Sequence, residues 1–368
     1  MILFLHNRYR TTGGEERAVA DLQWLVREQL GEETELLTRD SADLGARRAA
    51  TGLLRGGLDE DEVARAVERT GARVVHAHNL LPAFGWRALR AARGAGARTV
   101  LHLHNYRLVC AVGVCFTVDG ECTRCHGRNT WPGVRLNCRG TGPENVVYAT
   151  SLALHQRRML EHADAVVVPS AFAAERLRAM EVPLPDDTHV IAHPVRAIAS
   201  EPRFDPAGPA LVASRLAPEK GVDLAIDACR AAGVPLVVAG DGPLRAELEQ
   251  RASGASVTFT GRVDDAELEQ LRAGASIAVV PSRTGETFGL AAAEAMAAGL
   301  PVAATAAGAL ADLVPHDQLA PRDDAAALGA LVTRLRGNHD AAERGLERVA
   351  AVASPEAAAR ALAGVYGD

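Results

Sequence analysis

Strand-like and helix-like segments alternate twice along the chain, and this repetition is the feature that most constrains its fold. In the first half, short apolar runs such as residues 1–5 and Ala165–Val168 alternate with segments of helical periodicity. The pattern restarts at Ala210, after a proline-rich stretch at residues 183–209. Alternating strands and helices form a parallel sheet with helices on both faces. The sequence therefore predicts an α/β fold with two Rossmann-like, doubly wound domains.

The length of the chain agrees with two domains, because 368 residues exceed what one core usually organises. We expect an N-terminal domain over residues 1–195, with a cysteine-rich loop at 105–141, and a C-terminal domain over residues 196–351. A last amphipathic segment, residues 352–368, is predicted to form a helix that could pack on either domain. Because ligands bind outside the carboxyl ends of parallel strands, we expect one cleft between the domains.

Composition excludes several classes of protein. The net charge of −6 argues against a nucleic-acid-binding protein. No apolar run is long enough to span a membrane, and the first one is too short for a signal peptide, so a cytoplasmic protein is predicted. Residues 71–118 contain six arginines and no acidic residue. These arginines could attract an anionic acceptor or contact the anionic inner face of a membrane, or they could simply solvate a helix.

The basic residues have an unusual distribution. Of the 40 basic residues, all but Lys220 are arginine. Lys220 and Arg215 follow an apolar run, Ala210–Ala213, and precede a segment with helical periodicity. Two cations at the carboxyl end of a strand can hold a diphosphate, one as a planar fork and one as a point charge. The alternative is that both are ordinary surface charges.

A second strand-to-helix junction carries two acids. The apolar run Ile277–Val280 predicts a strand, and residues 287–298 predict a helix. Glu286 and Glu294 are eight residues apart, about two helical turns, so they share one helix face. Amides of the first turn have no partner within the helix and can bind an anion; here these are the amides of Phe288, Gly289 and Leu290. The two acids could bind a sugar nucleotide at this point, or they could be solvated helix residues.

These two segments resemble the retaining glycosyltransferases of family 4 (group 1). The run from Glu286 to Glu294, followed by AMAAGLPV, is similar to their E-x7-E signature, and Ser214-Arg215 to Lys220-Gly221 is similar to their diphosphate-binding segment. The resemblance covers nearly the whole chain. It implies the GT-B fold, in which two Rossmann-like domains face an interdomain cleft and the C-terminal helix crosses back to the N-terminal domain.

The resemblance implies a sugar transfer with retention of configuration. The donor would be a nucleotide-sugar, with UDP as the expected carrier, and the acceptor a hydroxyl of a carbohydrate, a lipid-linked molecule or a small molecule. No cofactor and no metal would be needed for catalysis. Two alternatives stay open: a sugar-nucleotide epimerase on the same scaffold, which would need no acceptor, and a non-catalytic protein that binds nucleotide-sugars without turnover.

The resemblance also implies roles for individual residues. Arg215 and Lys220 would neutralise the leaving diphosphate, Glu286 would bind hydroxyls of the transferred sugar, and Glu294 would bind the ribose. His104 matches a histidine that contacts the sugar, although Asn105 stands where the family often has aspartate. The remaining donor-binding positions are Gly14 at a phosphate, Arg262 and Val263 at the base, and Phe288, Gly289 and Leu290 at the helix start.

Two groups of potential metal ligands lie in the first half of the chain. His102 and His104 share one face of a predicted strand and could bind a metal, or they could be ordinary buried histidines. Five cysteines lie between residues 110 and 138, with a C-x2-C pair at 122–125. A structural zinc, free thiols and disulfides are the alternatives for this cluster. The predicted zinc ligands are Cys110, Cys122, Cys125 and Cys138, with Cys115 as the alternative to Cys110 and His126 as a spare candidate ligand.

Overall fold

The computed structural model of the chain describes residues 1–9 and 13–367, which divide into two compact units. Unit 1 consists of the described residues of Met1–Thr117, Cys122–Pro194 and Pro355–Asp368. Unit 2 consists of Val118–Glu121 and Val195–Ser354. Each unit contains its own six-stranded sheet and its own hydrophobic core. The predicted α/β fold with two doubly wound sheets is confirmed.

Unit 1 is built on a parallel sheet. The first eight strands in chain order are β1 (Ile2–Arg8), β2 (Thr34–Asp40), β3 (Val74–Ala77), β4 (Arg98–His102), β5 (Phe116–Thr117), β6 (Gly120–Glu121), β7 (Ala165–Val168) and β8 (His189–Val190). All of them except β6, which is assigned to unit 2, belong to unit 1. The six-stranded sheet has the order β2-β1-β3-β4-β7-β8, and its strand pairs are parallel. Strands β5 and β6 form a separate two-stranded sheet.

The helices of unit 1 cover this sheet. They are α1 (Gly14–Leu30), α2 (Ala46–Arg55), α3 (Glu60–Thr70), α4 (Gly85–Gly94), α5 (Trp131–Arg135), α6 (Gly142–Glu161) and α7 (Ala171–Ala179). Helix α1 begins where the Glu16 side chain accepts a hydrogen bond of 2.7 Å from the Gly13 amide, which satisfies a donor that has no partner within the helix. Helix α7 begins in a related way, because the Ser170 hydroxyl accepts a hydrogen bond from the Ala173 amide.

Unit 2 repeats the arrangement. Its strands are β9 (Ala210–Ala213), β10 (Leu236–Ala239), β11 (Val257–Gly261), β12 (Ile277–Val280), β13 (Val302–Thr305) and β14 (Leu319–Ala320). Its helices are α8 (Val222–Ala232), α9 (Arg245–Arg251), α10 (Asp265–Ala273), α11 (Leu290–Ala297), α12 (Leu310–Leu313), α13 (Ala325–Leu335) and α14 (His339–Ala353). The sheet has the order β11-β10-β9-β12-β13-β14.

The strand order of unit 2 reverses between β9 and β12, because β9 pairs with β10 on one side and with β12 on the other. The loops that leave the carboxyl ends of β9 and β12 therefore lie next to each other. In open parallel sheets, ligands bind outside the carboxyl ends of the strands at such a reversal. These two loops carry the lysine and the first of the two acids predicted from the sequence.

The last helix, α15 (Pro355–Tyr366), belongs to unit 1. It buries Leu362 and Tyr366 in a core that also contains strands β1, β3 and β4. Two arginines satisfy carbonyl groups at its end: Arg98 donates to the Val365 oxygen at 2.8 Å and Arg73 to the Tyr366 oxygen at 3.1 Å. None of the described helices is both long and apolar enough to cross a membrane.

One boundary at the predicted site was wrong. Helix α11 begins at Leu290, not at residue 287, because Gly289 adopts a left-handed backbone with φ of +99°. A Cβ atom on Gly289 would also lie 2.4 Å from Leu310 Cδ2, so the position is restricted to glycine. Phe288 therefore lies before the helix, is buried, and is not part of its first turn.

Candidate functional site

Lys220 and Glu286 form an ion pair at the carboxyl edge of the unit 2 sheet. Lys220 Nζ lies 2.6 Å from Glu286 Oε1, and the two side chains are 28% and 15% exposed. The Ser282 hydroxyl donates a second hydrogen bond of 2.6 Å to the same carboxylate oxygen. The structure thus brings two of the predicted site residues into contact, through the loops that follow β9 and β12.

Close approach of the two loops depends on Gly221. Its backbone is left-handed, with φ of +62°, and a Cβ atom there would lie 2.1 Å from the Pro281 carbonyl oxygen. Any side chain at this position would push the loop after β9 away from the loop after β12. The Lys-Gly pair therefore has a physical reason: Lys220 supplies the charge, and Gly221 allows it to reach Glu286.

A third segment, which follows β13, holds the backbone of Glu286. The Glu286 amide donates to the Ala307 oxygen at 3.2 Å, and the Ala309 amide donates to the Glu286 oxygen at 3.0 Å. Gly308 lies between these two bonds with φ of +64°. A Cβ atom on Gly308 would lie 2.6 Å from Gly285 Cα, so the glycine lets the two backbones touch.

Replacing Gly308 with alanine is expected to lower the free energy of unfolding by about 1–3 kcal/mol, because it adds both backbone strain and a clash. Gly233→Ala is the matched control: Gly233 has φ of +66°, but a Cβ atom there would meet nothing within 4 Å. Urea unfolding of both variants separates the clash from the strain. Equal losses in the two variants would show that Gly308 does not hold Glu286 in place.

Glu286 is ionised at neutral pH despite its burial. Burial alone would raise the pKa of this carboxyl group, but the Lys220 ammonium, the Ser282 hydroxyl and the Arg215 guanidinium together outweigh it, so the pKa lies below 4.5. The site therefore carries a fixed negative charge between two cations.

This pKa shift predicts a pH dependence of stability. Because the folded protein has a lower Glu286 pKa than the unfolded chain, the ionised carboxylate stabilises the fold above pH 4.5 and stops doing so as the pH falls through the folded value. We expect wild type to lose stability relative to Glu286→Gln over this acidic range. Urea unfolding of both proteins at pH values from about 3 to about 7 measures the difference. A difference that does not vary with pH would contradict the shift.

Arg215 lies beside this pair and remains available to a ligand. Its guanidinium pairs with Glu219, yet 42% of the Arg215 side chain is exposed, against 7% for Glu219. Glu219 also contributes its backbone oxygen, which accepts a hydrogen bond of 2.9 Å from the Arg283 amide. Arg283 in turn pairs with Asp223 at 2.6 Å, and these contacts fix the loop that carries Arg215. Neither Glu219 nor Arg283 was predicted from the sequence to belong to the site.

Glu294 is not a solvated helix residue. It forms an ion pair with Arg272 of α10, and the two side chains are 14% and 12% exposed. This partner was missed, because nothing in the sequence links Arg272 to a residue on a different helix. Of the other donor-binding positions predicted in unit 2, Arg262 is exposed and Val263 half-buried, just after β11. Their roles, and that of Gly14 at the start of α1, remain predictions.

In unit 1, His104 lines a cavity of about 30 Å³ at the carboxyl edge of the sheet. Asn105 lines the same cavity and donates its side-chain amide to Glu15 Oε2 at 2.7 Å and to the Tyr9 hydroxyl at 3.0 Å. An aspartate at this position could not donate these bonds and would place a second carboxylate against Glu15. The departure from the family pattern at Asn105 therefore agrees with its surroundings.

The cysteine cluster surrounds a cavity of about 20 Å³ lined by Cys110, Cys115, Cys122, Cys125 and Cys138. All six cysteines of the chain carry free thiols in the structure. A hydrogen bond from Cys115 lowers the pKa of the Cys110 thiol to about 6, which favours its thiolate form. However, the groups of three or more potential metal ligands that the described residues bring within 4.8 Å contain no cysteine. Zinc at this cluster remains a prediction.

The acid-free basic stretch is largely neutralised by acids from elsewhere in the sequence. Four of its six arginines form ion pairs, at 2.5–3.2 Å, within unit 1. The pairs are Arg73 with Glu32, Arg87 and Arg90 with Glu60, and Arg93 with Asp164. This arrangement favours the interpretation that the arginines solvate and connect surface helices.

Comparison with solved structures identifies the fold class. Sucrose-phosphate synthase from Thermosynechococcus elongatus is similar over 99% of this chain and 98% of that chain, with a TM-score of 0.69 and 21% identity. Anabaena HepE, solved in complex with UDP-glucose, is similar over 99% of this chain and 98% of that chain, with a TM-score of 0.62 and 18% identity. The two parallel-sheet units thus form the GT-B fold.

Sequence comparison identifies the family. Residues 209–338 match the family model described as "Glycosyl transferases group 1", and residues 12–194 match that described as "Glycosyl transferase 4-like domain". The chain belongs to the group 1 glycosyltransferases of family 4. A similar curated protein is the GDP-mannose-dependent alpha-(1-6)-phosphatidylinositol dimannoside mannosyltransferase of Mycobacterium tuberculosis (strain ATCC 25177 / H37Ra). It is 43% identical over 116 residues, and the match spans 30% of this chain and 30% of that relative's length.

Proposed function

We propose that the protein transfers a sugar from a nucleoside-diphosphate sugar to an acceptor hydroxyl. The observation that carries this proposal is the contact between Lys220 and the ionised Glu286 at the strand reversal of unit 2. A surface ion pair would not need the burial or the tight loop packing found there. Unit 2 would bind the donor, and unit 1 would bind the acceptor.

Charge neutralisation is the main catalytic contribution in this proposal. An ammonium group has three N–H donors, so Lys220 can keep one on Glu286 and direct others to diphosphate oxygens. Arg215 adds a partly exposed guanidinium. Both cations stabilise the charge that develops as the bond between the sugar and the diphosphate breaks. Glu286 would accept hydrogen bonds from sugar hydroxyls, and Glu294 would accept them from the ribose.

The proposed transfer proceeds with retention. The bond from sugar C1 to the diphosphate oxygen breaks, the bond from C1 to the acceptor oxygen forms on the same face, and a diphosphate oxygen takes the acceptor proton. The two cations supply positive charge at the leaving group, so this step requires no catalytic metal. His104 is predicted to contact the sugar and would do so as a neutral imidazole, because burial lowers its pKa well below 6.5.

Two nucleotide carriers are candidates for the donor, and the acceptor is proposed by class. The family resemblance predicts UDP, whereas the relative that is 43% identical over 116 residues is named as GDP-mannose-dependent. Both carriers therefore belong in the first test. The proposed acceptor is a carbohydrate or a lipid-linked molecule. Contact with an anionic membrane surface is a weaker proposal, because most arginines of the basic stretch have acidic partners.

A thermal-shift screen with UDP, GDP and ADP sugars tests donor binding, because a ligand that binds only the folded protein raises the melting temperature. The sugar that gives the largest shift is then incubated with an acceptor panel, and released nucleoside diphosphate is measured. We expect release that depends on acceptor. Conversion of the donor without acceptor would indicate an epimerase, and binding without turnover would indicate a non-catalytic protein. Absence of any shift would contradict the proposed site.

A further inference from the structure

Five buried histidines form a layer on one face of the unit 1 sheet. They are His76, His78, His102, His104 and His193, and each is at most 8% exposed. Neighbouring rings lie close together, and the centroids of His102 and His104 are 4.2 Å apart with an angle of 13° between the ring planes. We call this group the histidine layer. Histidine is seldom fully buried without a specific partner, so five together require an explanation.

Hydrogen bonds divide the layer into inner and outer members. His102 Nδ1 lies 3.2 Å from His76 Nε2, and His76 Nδ1 lies 2.7 Å from the Tyr366 hydroxyl. His104 Nε2 lies 2.7 Å from His78 Nδ1. We call His102 and His104 the inner histidines and His76 and His78 the outer ones. One ring nitrogen of each inner histidine is therefore hydrogen-bonded to an outer histidine.

Ring nitrogens of the two inner histidines also lie close to His193. His102, His104 and His193 each offer one ring nitrogen to a group in which these atoms all lie within 4.8 Å of one another. His104 Nδ1 is 3.4 Å from His193 Nε2. Two nitrogens bound at about 2.0 Å to one tetrahedral ion lie roughly 3.3 Å apart, so this spacing already suits a shared ion.

An unsatisfied atom points to the same ligand. His102 Nε2 is completely buried and has no hydrogen-bond partner among the described residues. Leaving such an atom without a partner costs stability, and a bound ion would remove that cost. A cavity of about 30 Å³ is lined by both His102 and His104, which is enough space for a water ligand beside an ion.

We propose that His102, His104 and His193 bind a divalent transition-metal ion such as Zn²⁺, with His76 and His78 as outer hydrogen-bond partners. A set of three imidazole nitrogens suits zinc, cobalt, nickel or copper, whereas magnesium and calcium require oxygen ligands. Outer partners of this kind orient metal-binding histidines and select the tautomer.

This site is distinct from the cysteine cluster and from the proposed donor site of unit 2. The ion would join the end of β4 to the segment that follows β8 and would stabilise unit 1. The ion would not react in the proposed transfer, but it would hold His104, the residue predicted to contact the sugar, so its presence is tested by metal binding and not by activity.

Cobalt binding tests the proposal. The protein is freed of metal with a chelator, dialysed and titrated with Co²⁺, and bound metal and the absorption spectrum are recorded. We expect one Co²⁺ per chain with imidazole ligation, and any thiolate charge-transfer band would come from a further ion at the cysteine cluster. A Cys122→Ser/Cys125→Ser variant should keep this ion. His102→Gln and His193→Gln should each weaken binding by at least about 100-fold, more than the loss of an outer partner would cause.

His189→Gln is the matched control, because His189 is a half-buried histidine of β8 outside the layer. It should bind Co²⁺ as wild type does. Circular dichroism checks that each variant folds, and His193→Gln decides the outcome if His102→Gln does not fold. Unchanged binding in His193→Gln, a spectrum with thiolate ligation only, or no bound Co²⁺ in the wild type would overturn the proposal.

Discussion

Lys220→Ala is expected to lower kcat/KM by about 10²- to 10³-fold, the effect of removing one group that stabilises charge in a transition state. The loss has two causes. The diphosphate loses its point charge, and Glu286 keeps a buried negative charge that then repels the donor. Kinetics at saturating acceptor and a titration of the donor by thermal shift measure the two effects separately.

Two further variants control for charge and geometry. Lys220→Arg keeps the positive charge but replaces a compact ammonium with a planar fork, so we expect intermediate activity. Arg245→Ala removes a cation of the same unit whose pair with Glu249 is exposed, and it should leave activity unchanged. Wild-type kcat/KM in Lys220→Ala would remove the main support for the proposed function.

The sequence alone predicted strands β9 to β13 of unit 2, for a physical reason, but it did not predict β14, α12 or α14. Strands such as β9, β10 and β12 are buried on both faces, so they read as short continuous apolar runs between glycine and proline. Helix α10 begins at Asp264, whose side chain accepts a hydrogen bond from the Glu267 amide. Apolar runs and helix caps involve only neighbouring residues in the sequence, so they can be recognised without knowing the fold.

Contacts between distant segments could not be predicted in the same way. The pairing of Arg272 with Glu294 joins two helices, and the histidine layer joins β3 and β4 to a segment about 90 residues further along the chain. The start of α11 was misplaced for a related reason: Gly289 adopts a left-handed backbone, and Leu310 of another helix packs where its side chain would be. In each case the deciding contact is absent from the local sequence.

Lys220 and Glu286 can be predicted to act as a unit, which the double variant tests. Glu286→Gln alone should lower kcat/KM by about 100-fold, because sugar hydroxyls lose a charged acceptor. In the Lys220→Ala background, however, Glu286→Gln removes the uncompensated negative charge that faces the diphosphate. The double variant should therefore bind the donor about 5- to 30-fold more tightly than Lys220→Ala does.

An increase in donor affinity from Lys220→Ala to the double variant would distinguish a pair that acts on the donor from a pair that only stabilises the fold. If the pair served stability alone, the second substitution would not improve donor affinity, and the two effects on kcat/KM would add. The pair of Arg245 with Glu249 provides the comparison, since it is exposed and its coupling should be near zero. Donor dissociation constants for the four proteins of each cycle measure the coupling. A gain of donor affinity on removing a buried acid is expected only where that acid faces the bound anion, so it would place the diphosphate beside Glu286.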